Sequence, residues 1–169
     1  VGIGTALADD PELTCRLHGL EARSPARIVL DRALRLPPAS KLALSARKPP
    51  VLVAAAADAD EARRTALAGL GVGFLAVEEF GGRIALPELL EDLAAQGMST
   101  LMVEGGAETA RNLLDEDLID RIALFVGGIR IGEGGVASPL DPAGIPAGFR
   151  LDREARFGDD FYREFVRER

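Results

Sequence analysis

Leu101-Met102-Val103-Glu104-Gly105-Gly106-Ala107-Glu108-Thr109-Ala110-Arg111-Asn112-Leu113-Leu114 is the stretch that decides how this chain reads. The apolar run predicts a buried strand over residues 100–104. A carboxylate ends it, two glycines turn the chain, and a helical pattern follows over Ala107–Asp115. That order opens helix N–H groups at a strand end. Orphan amides and the helix dipole both favour an anion there, and glycine lets the backbone approach a ligand closely. The pattern points to a phosphate site in a nucleotide-dependent enzyme, with Glu104 beside it to fix a donor group on a second ligand. A strand-to-helix turn without any ligand uses the same residues, so the glycine pair alone does not choose between the two.

Outward from this turn, apolar runs alternate with helical patterns. Arg27-Ile28-Val29-Leu30 and Val51-Leu52-Val53-Ala54-Ala55 are short and β-branched, and residues 72–77 form a third strand candidate. Residues 61–70 predict a helix stopped by Gly71. Leu86, Leu89, Leu90 and Leu93 repeat at helical spacing, and Gly97 ends that run. Ile122-Ala123-Leu124-Phe125-Val126 predicts another buried strand. Phe149, Leu151, Ala155 and Phe157 alternate with charged residues as in a half-exposed strand, and Gly158-Asp159-Asp160 turns it into a second strand over 161–167. Strands interleaved with helices, then a hairpin, imply an α/β fold: a mainly parallel sheet with an antiparallel end. One domain over 1–169 is the simplest organisation.

Composition narrows the function. The 169 residues are 47% hydrophobic, enough for a packed core, and the net charge of −7 argues against nucleic acid as a partner. No apolar run reaches the roughly 18–20 residues that span a bilayer. One cysteine, Cys15, and one histidine, His18, leave no donor set for a structural zinc. The expectation is a cytoplasmic protein with no structural metal. The chain opens Val1-Gly2-Ile3-Gly4-Thr5 without Met or a leader pattern, which reads as a piece of a longer chain or one lacking its earlier residues.

That opening is the second motif. Val1-Gly2-Ile3-Gly4-Thr5-Ala6-Leu7-Ala8-Asp9-Asp10-Pro11-Glu12-Leu13-Thr14-Cys15-Arg16 runs from a strand end through Gly and Thr to paired acids before proline, then an arginine. Arg16 suits a phosphate or carboxylate through its forked donors. Asp9 suits a hydroxyl donor or a turn cap, and a solvated surface turn has the same composition. His18 reads as a surface residue and Cys15 as a small packing residue.

Taken together, the Leu7-Ala8-Asp9-Asp10-Pro11 string with Leu13-Thr14 and Arg16, the Arg27-Ile28-Val29-Leu30-Asp31 and Leu34-Arg35-Leu36-Pro37 segments, Val103-Glu104-Gly105-Gly106-Ala107 and Leu118-Ile119-Asp120 resemble one family. It is the 5-amino-6-(5-phosphoribosylamino)uracil reductase family of bacterial riboflavin biosynthesis, which has a dihydrofolate reductase-like fold. The resemblance covers nearly the whole chain. It implies an NADPH-dependent oxidoreductase that reduces the ribosyl group of a phosphorylated ribosylaminopyrimidine to a ribityl chain. It implies a homodimer, and a deaminase fused to it or separate. The family's domain begins with a strand and helix ahead of the first motif found here.

Residue by residue, the resemblance makes Thr5, Asp9 and the segment Gly105, Gly106, Ala107, Glu108, Thr109, Ala110, Arg111 and Asn112 cofactor contacts. Leu13, Arg16 and Glu104 become substrate contacts, with Arg16 on the ribose phosphate. Asp9 and Glu104 are the candidates for catalytic polar work. Arg32 stands where many relatives carry a small hydroxyl residue, and either meets the 2′-phosphate of NADPH or is a loop arginine. A stand-alone paralogue reducing a pterin such as dihydrofolate, and a non-catalytic nucleotide-binding domain, are the alternatives.

Overall fold

Val51–Ala56 forms β2, the middle strand of a parallel sheet in which Arg27–Leu30 (β1) and Gly73–Val77 (β3) are its neighbours. The computed structural model describes residues 1–129, 132–141 and 143–168. They form two compact units, Val1–Gly106 and the part from Ala107 onward.

In the first unit, both faces of the sheet are covered. Val29, Val51, Val53 and Ala55 point to one side and pack with Ile3 and Ala6 of α1 (Ile3–Asp9), Leu42 and Ala43 of α2 (Lys41–Leu44) and Leu67 of α3 (Glu61–Leu70). Ile28, Ala54 and Leu75 point to the other side and meet Leu89 and Leu93 of α4 (Leu86–Ala95). A parallel strand covered on both faces needs apolar residues along its length, which is why residues 28–30 of β1 and all of β2 are continuous apolar runs. Val1 and Gly2 lie along the free edge of β1, with Leu30 N–H donating to the Val1 carbonyl at 2.9 Å and Gly2 bridging Leu30 in parallel.

Local chemistry sets the helix limits. The Asp60 carboxylate accepts from Arg63 N–H at 2.9 Å and caps α3, and Gly71, at φ +96°, stops it. Ser40 caps α2 through Ala43 N–H. A short hairpin, β4 (Glu79–Phe80) with β5 (Arg83–Ile84), precedes α4.

The second unit holds α5 (Ala107–Asp115) and an antiparallel sheet in the order β6 (Arg121–Val126), β8 (Asp160–Arg167), β7 (Phe149–Phe157). Ile122, Phe149 and Phe165 are its core, with Leu114 and Ile119 packed against them. The Arg167 guanidinium lies 4.6 Å from the Phe149 ring centroid and also pairs with Asp117.

Three expectations change. Residues 100–104 form no strand: among the described residues none pairs with them, and Leu101, Met102 and Val103 are 43%, 76% and 40% exposed. An apolar run becomes a strand only when a neighbour takes its N–H and C=O groups, and the parallel sheet ends at β1 and β3. The strand over 122–126 is not buried throughout. Ile122 faces the core, whereas Phe125 is 65% exposed, because one face of this antiparallel sheet is open. The opening segment forms the seven-residue helix α1 (Ile3–Asp9), where its Gly, Asp and Pro content predicts a turn.

Candidate active site

The two motifs meet in the first unit. In α1, Ile3 and Ala6 turn inward to the core, and Thr5 and Asp9, four residues apart, share another face. Gly105 stands against Thr5: a Cβ built on Gly105 would lie 3.3 Å from the Thr5 methyl. Nearly a hundred residues of sequence separate the two, so this corner is tertiary in origin. Gly105 and Gly106 have φ of +63° and +78°, the left-handed region where a Cβ is disfavoured. Glu104 is exposed.

Asp9 and Asp10 part company here. Asp10 closes α1 at φ +40°, and its Oδ1 accepts from Lys41 N–H at 2.9 Å. Its carboxylate therefore serves the fold, while Asp9, exposed on the last turn of α1, is open to a ligand. Leu13 has φ +52° and packs partly against the core beneath α1. A branched residue in the left-handed region is unfavourable and marks a conformation enforced by its surroundings. Arg16 is exposed beyond it in irregular chain, and Cys15 is a half-buried free thiol. His18 lies at the surface, 3.9 Å from Glu21.

Helix α5 begins at Ala107, directly after the glycine pair. Its first-turn amides lack intrahelical partners, and Glu108 places an acid among them. Glu108 and Arg111 are exposed; Ala107, Thr109, Ala110 and Asn112 are half-buried. In the first unit, Arg32 is held by Glu79, with Nη1 at 3.1 and 3.3 Å from the two carboxylate oxygens. A groove of about 610 Å³ lined by Leu34, Leu36, Arg63 and Leu67, among others, shares no residue with the Thr5–Gly105 corner. Among the described residues no three His, Cys, Asp or Glu side chains are grouped to hold a metal, and no helix is long and apolar enough to cross a membrane.

Sequence reasoning passed over two buried charges. Asp31 is fully buried, and its Oδ2 accepts from Leu36 N–H at 2.7 Å, which ties the loop after β1. Arg27 is 2% exposed. The signal for both was available: a charged residue on each side of the apolar run 28–30.

Comparison with known proteins agrees with this architecture. The RibD C-terminal domain family matches residues 1–162. The 2,5-diamino-6-ribosylamino-4(3H)-pyrimidinone 5′-phosphate reductase of Archaeoglobus fulgidus is 32% identical over 95% of this chain and 75% of its own length. The riboflavin biosynthesis protein RibD of Bacillus amyloliquefaciens is 33% identical over 78% of this chain and 34% of its own. The structure of Acinetobacter baumannii RibD superposes with a TM-score of 0.76 at 28% identity, covering 99% of this chain and 46% of that one. The chain thus spans a third to a half of these RibD proteins and three quarters of the archaeal reductase. It belongs to the RibD C-terminal domain family and has the dihydrofolate reductase-like fold of its reductase domains.

Proposed function

We propose that this member of the RibD C-terminal domain family is an NADPH-dependent reductase of riboflavin biosynthesis. Its substrate is a phosphorylated ribosylaminopyrimidine, 5-amino-6-(5-phosphoribosylamino)uracil, whose ribosyl group becomes a ribityl chain. The observation that carries the reading is the corner where Thr5 meets Gly105, which joins the family's two motifs. The family match runs across both units, which supports reading them as one reductase domain.

The residues present fit a nicotinamide cofactor. Gly105 and Gly106 offer backbone without Cβ, and filling Gly105 would crowd Thr5. In this reading residues 105–112 hold a cofactor phosphate at the start of α5, and Thr5 and Asp9 contact the cofactor nearer the reacting centre. A helix N-terminus contributes at most about 2 kcal/mol to an anion, whereas micromolar binding needs roughly 8 kcal/mol. Further contacts must therefore supply most of the affinity. When bound, the cofactor supplies a hydride to C1′ of the sugar, opened to an imine. Arg16 holds the ribose phosphate, Leu13 packs against the substrate, and Glu104 accepts from its donor groups. Asp9 and Glu104 provide polar contact at the reacting atoms. The same reading includes a homodimer, a cytoplasmic location, and a deaminase, fused or separate, acting on the same precursor.

The test is NADPH oxidation by the full-length protein offered three substrates in parallel: 5-amino-6-(5-phosphoribosylamino)uracil, its 2,5-diamino-pyrimidinone counterpart, and dihydrofolate. Turnover of the uracil compound is expected. Turnover of the diamino compound alone would move the substrate ahead of deamination. Turnover of dihydrofolate alone would make the protein a pterin reductase, and NADPH binding with no turnover would make it a non-catalytic nucleotide-binding domain.

A further inference from the structure

Residues 10–16 carry two proposed substrate contacts, Leu13 and Arg16, yet belong to no helix or strand. Three hydrogen bonds tether this strip to three places. Asp10 Oδ1 accepts from Lys41 N–H at the start of α2. Cys15 N–H donates to Ser24 Oγ at 3.0 Å, and that hydroxyl donates to the Glu21 carbonyl at 2.7 Å. Between them, the Glu12 carbonyl accepts from Nη1 of Arg27 at 3.0 Å.

Arg27 opens β1 and is almost wholly buried. Nη1 also donates to Ser45 Oγ at 2.8 Å, and Nη2 donates to the carbonyls of Ser45, at 2.8 Å, and Pro49. Both terminal nitrogens are thus committed, and only Nε is left without a hydrogen-bond partner among the described residues. A buried guanidinium is costly unless its donors are satisfied. Its rigid fork can bridge acceptors on separate segments, which the single ammonium of lysine cannot do in the same geometry. The bridge runs from the loop after α2 to the carbonyl immediately before Leu13. Leu13, at φ +52°, shares the left-handed region with Asp10 at the start of the strip, and such a conformation in a bulky residue persists only where its surroundings over-determine it.

We propose that Arg27 is a positioning residue for substrate binding: by holding the Glu12 carbonyl it fixes the left-handed turn at Leu13 and so presents Leu13 and Arg16. This rests on the assignment of those two residues as substrate contacts made above. Arg27 acts through the strip and is not itself assigned to touch substrate or cofactor. The proposed cofactor contacts, Thr5 and Asp9 on α1 and residues 105–112, lie outside residues 11–16, so the effect falls mainly on the substrate.

The experiment is steady-state kinetics and amide hydrogen exchange on the full-length protein and its Arg27→Lys variant. The substrate KM is expected to rise about tenfold, with the NADPH KM held within about twofold. Exchange should quicken at residues 13–16 and stay unchanged in β1, β2 and β3. Should Arg27→Lys fail to fold, Ser24→Ala frees the same strip at its other tether, on a half-exposed side chain, and is expected to show the same one-sided rise in KM. An unchanged substrate KM in the folded variant, or an equal rise for both ligands with faster exchange throughout the sheet, would overturn the proposal. Wild-type protein that turns over neither pyrimidine would remove the functional reading together with this role. Active wild type with an unmoved variant removes this role alone.

Discussion

The two sheets of this molecule solve opposite problems. In β1-β2-β3 both faces are covered by helices, on one face α1, α2 and α3 and on the other α4. In β6-β8-β7 one face carries Ile122, Phe149 and Phe165, while the other displays Phe125, Phe157 and Tyr162 to solvent as an aromatic cluster, with Phe125 and Tyr162 centroids 4.7 Å apart. Apart from Arg27 at the start of β1, the strands of the first sheet carry no polar side chain. The second tolerates charge on half its positions, as in the Arg121–Glu164 pair and the Tyr162 hydroxyl donating to Glu164 at 3.0 Å. The same substitution should therefore have very different consequences in the two.

The sharpest break is an acid placed in each sheet. Val53, fully buried at the centre of β2, changed to Asp leaves an unpaired carboxylate in apolar surroundings. Val53→Asp is expected to destabilise by about 3–5 kcal/mol. Phe125→Asp loses an aromatic contact on an open face and is expected to cost about 1 kcal/mol. Urea unfolding of the two variants measures the contrast, and equal losses would mean that the aromatic face is covered in solution.

A smaller effect is expected at the corner of the first unit. Gly105→Ala places a methyl group at φ +63° against Thr5, with a backbone cost of about 1–2 kcal/mol. NADPH affinity measured by calorimetry should fall by about tenfold, more than the substrate affinity does. Unaltered cofactor binding would separate this turn from the phosphate.

The smallest effect belongs to the open sheet. Arg121, and then Tyr162, hold the Glu164 carboxyl below its ordinary pKa. A depressed carboxyl stabilises the fold above its unfolded pKa, and that contribution disappears as pH falls through the folded value. The Tm of Glu164→Gln should therefore lie below wild type at pH 7, and the difference should shrink once pH drops under about 4, the usual carboxylate range. A constant difference across that window would show that the network contributes through packing, not charge.

Much of the first unit was legible because its signals are local. Helix α3 runs over Glu61–Leu70 and stops at Gly71 as expected, and β2 declares itself by continuous apolar composition; in the second unit α5 likewise runs over Ala107–Asp115. The site was legible as two separate motifs. Their meeting at Thr5 and Gly105 was not, since no spacing within either string encodes it. The short helix α1 was missed because its N-cap, Gly2, makes no side-chain cap hydrogen bond. In β7 the alternation of Phe149, Leu151, Ala155 and Phe157 is interrupted by Arg153, and the register shifts between Leu151 and Arg153. That bulge puts Leu151 opposite core Phe165 and Ala155 opposite Tyr162 of the aromatic face, so a single period describes two faces.

What the sequence by itself determined is the order of elements, the residues able to sit in a two-sided sheet, and the chemistry available at each motif. These follow from side-chain periodicity, capping and turn preference, which act over a few residues. Tertiary structure alone decided which apolar run acquired a partner and which, at 101–103, found none among the described residues. It also decided that Asp10 caps a helix while Asp9 stays open, and that Arg27 reaches from a strand to the strip before Leu13. Each of these depends on where a distant donor or acceptor stands, and hydrogen bonds between remote segments exist only once the chain has folded.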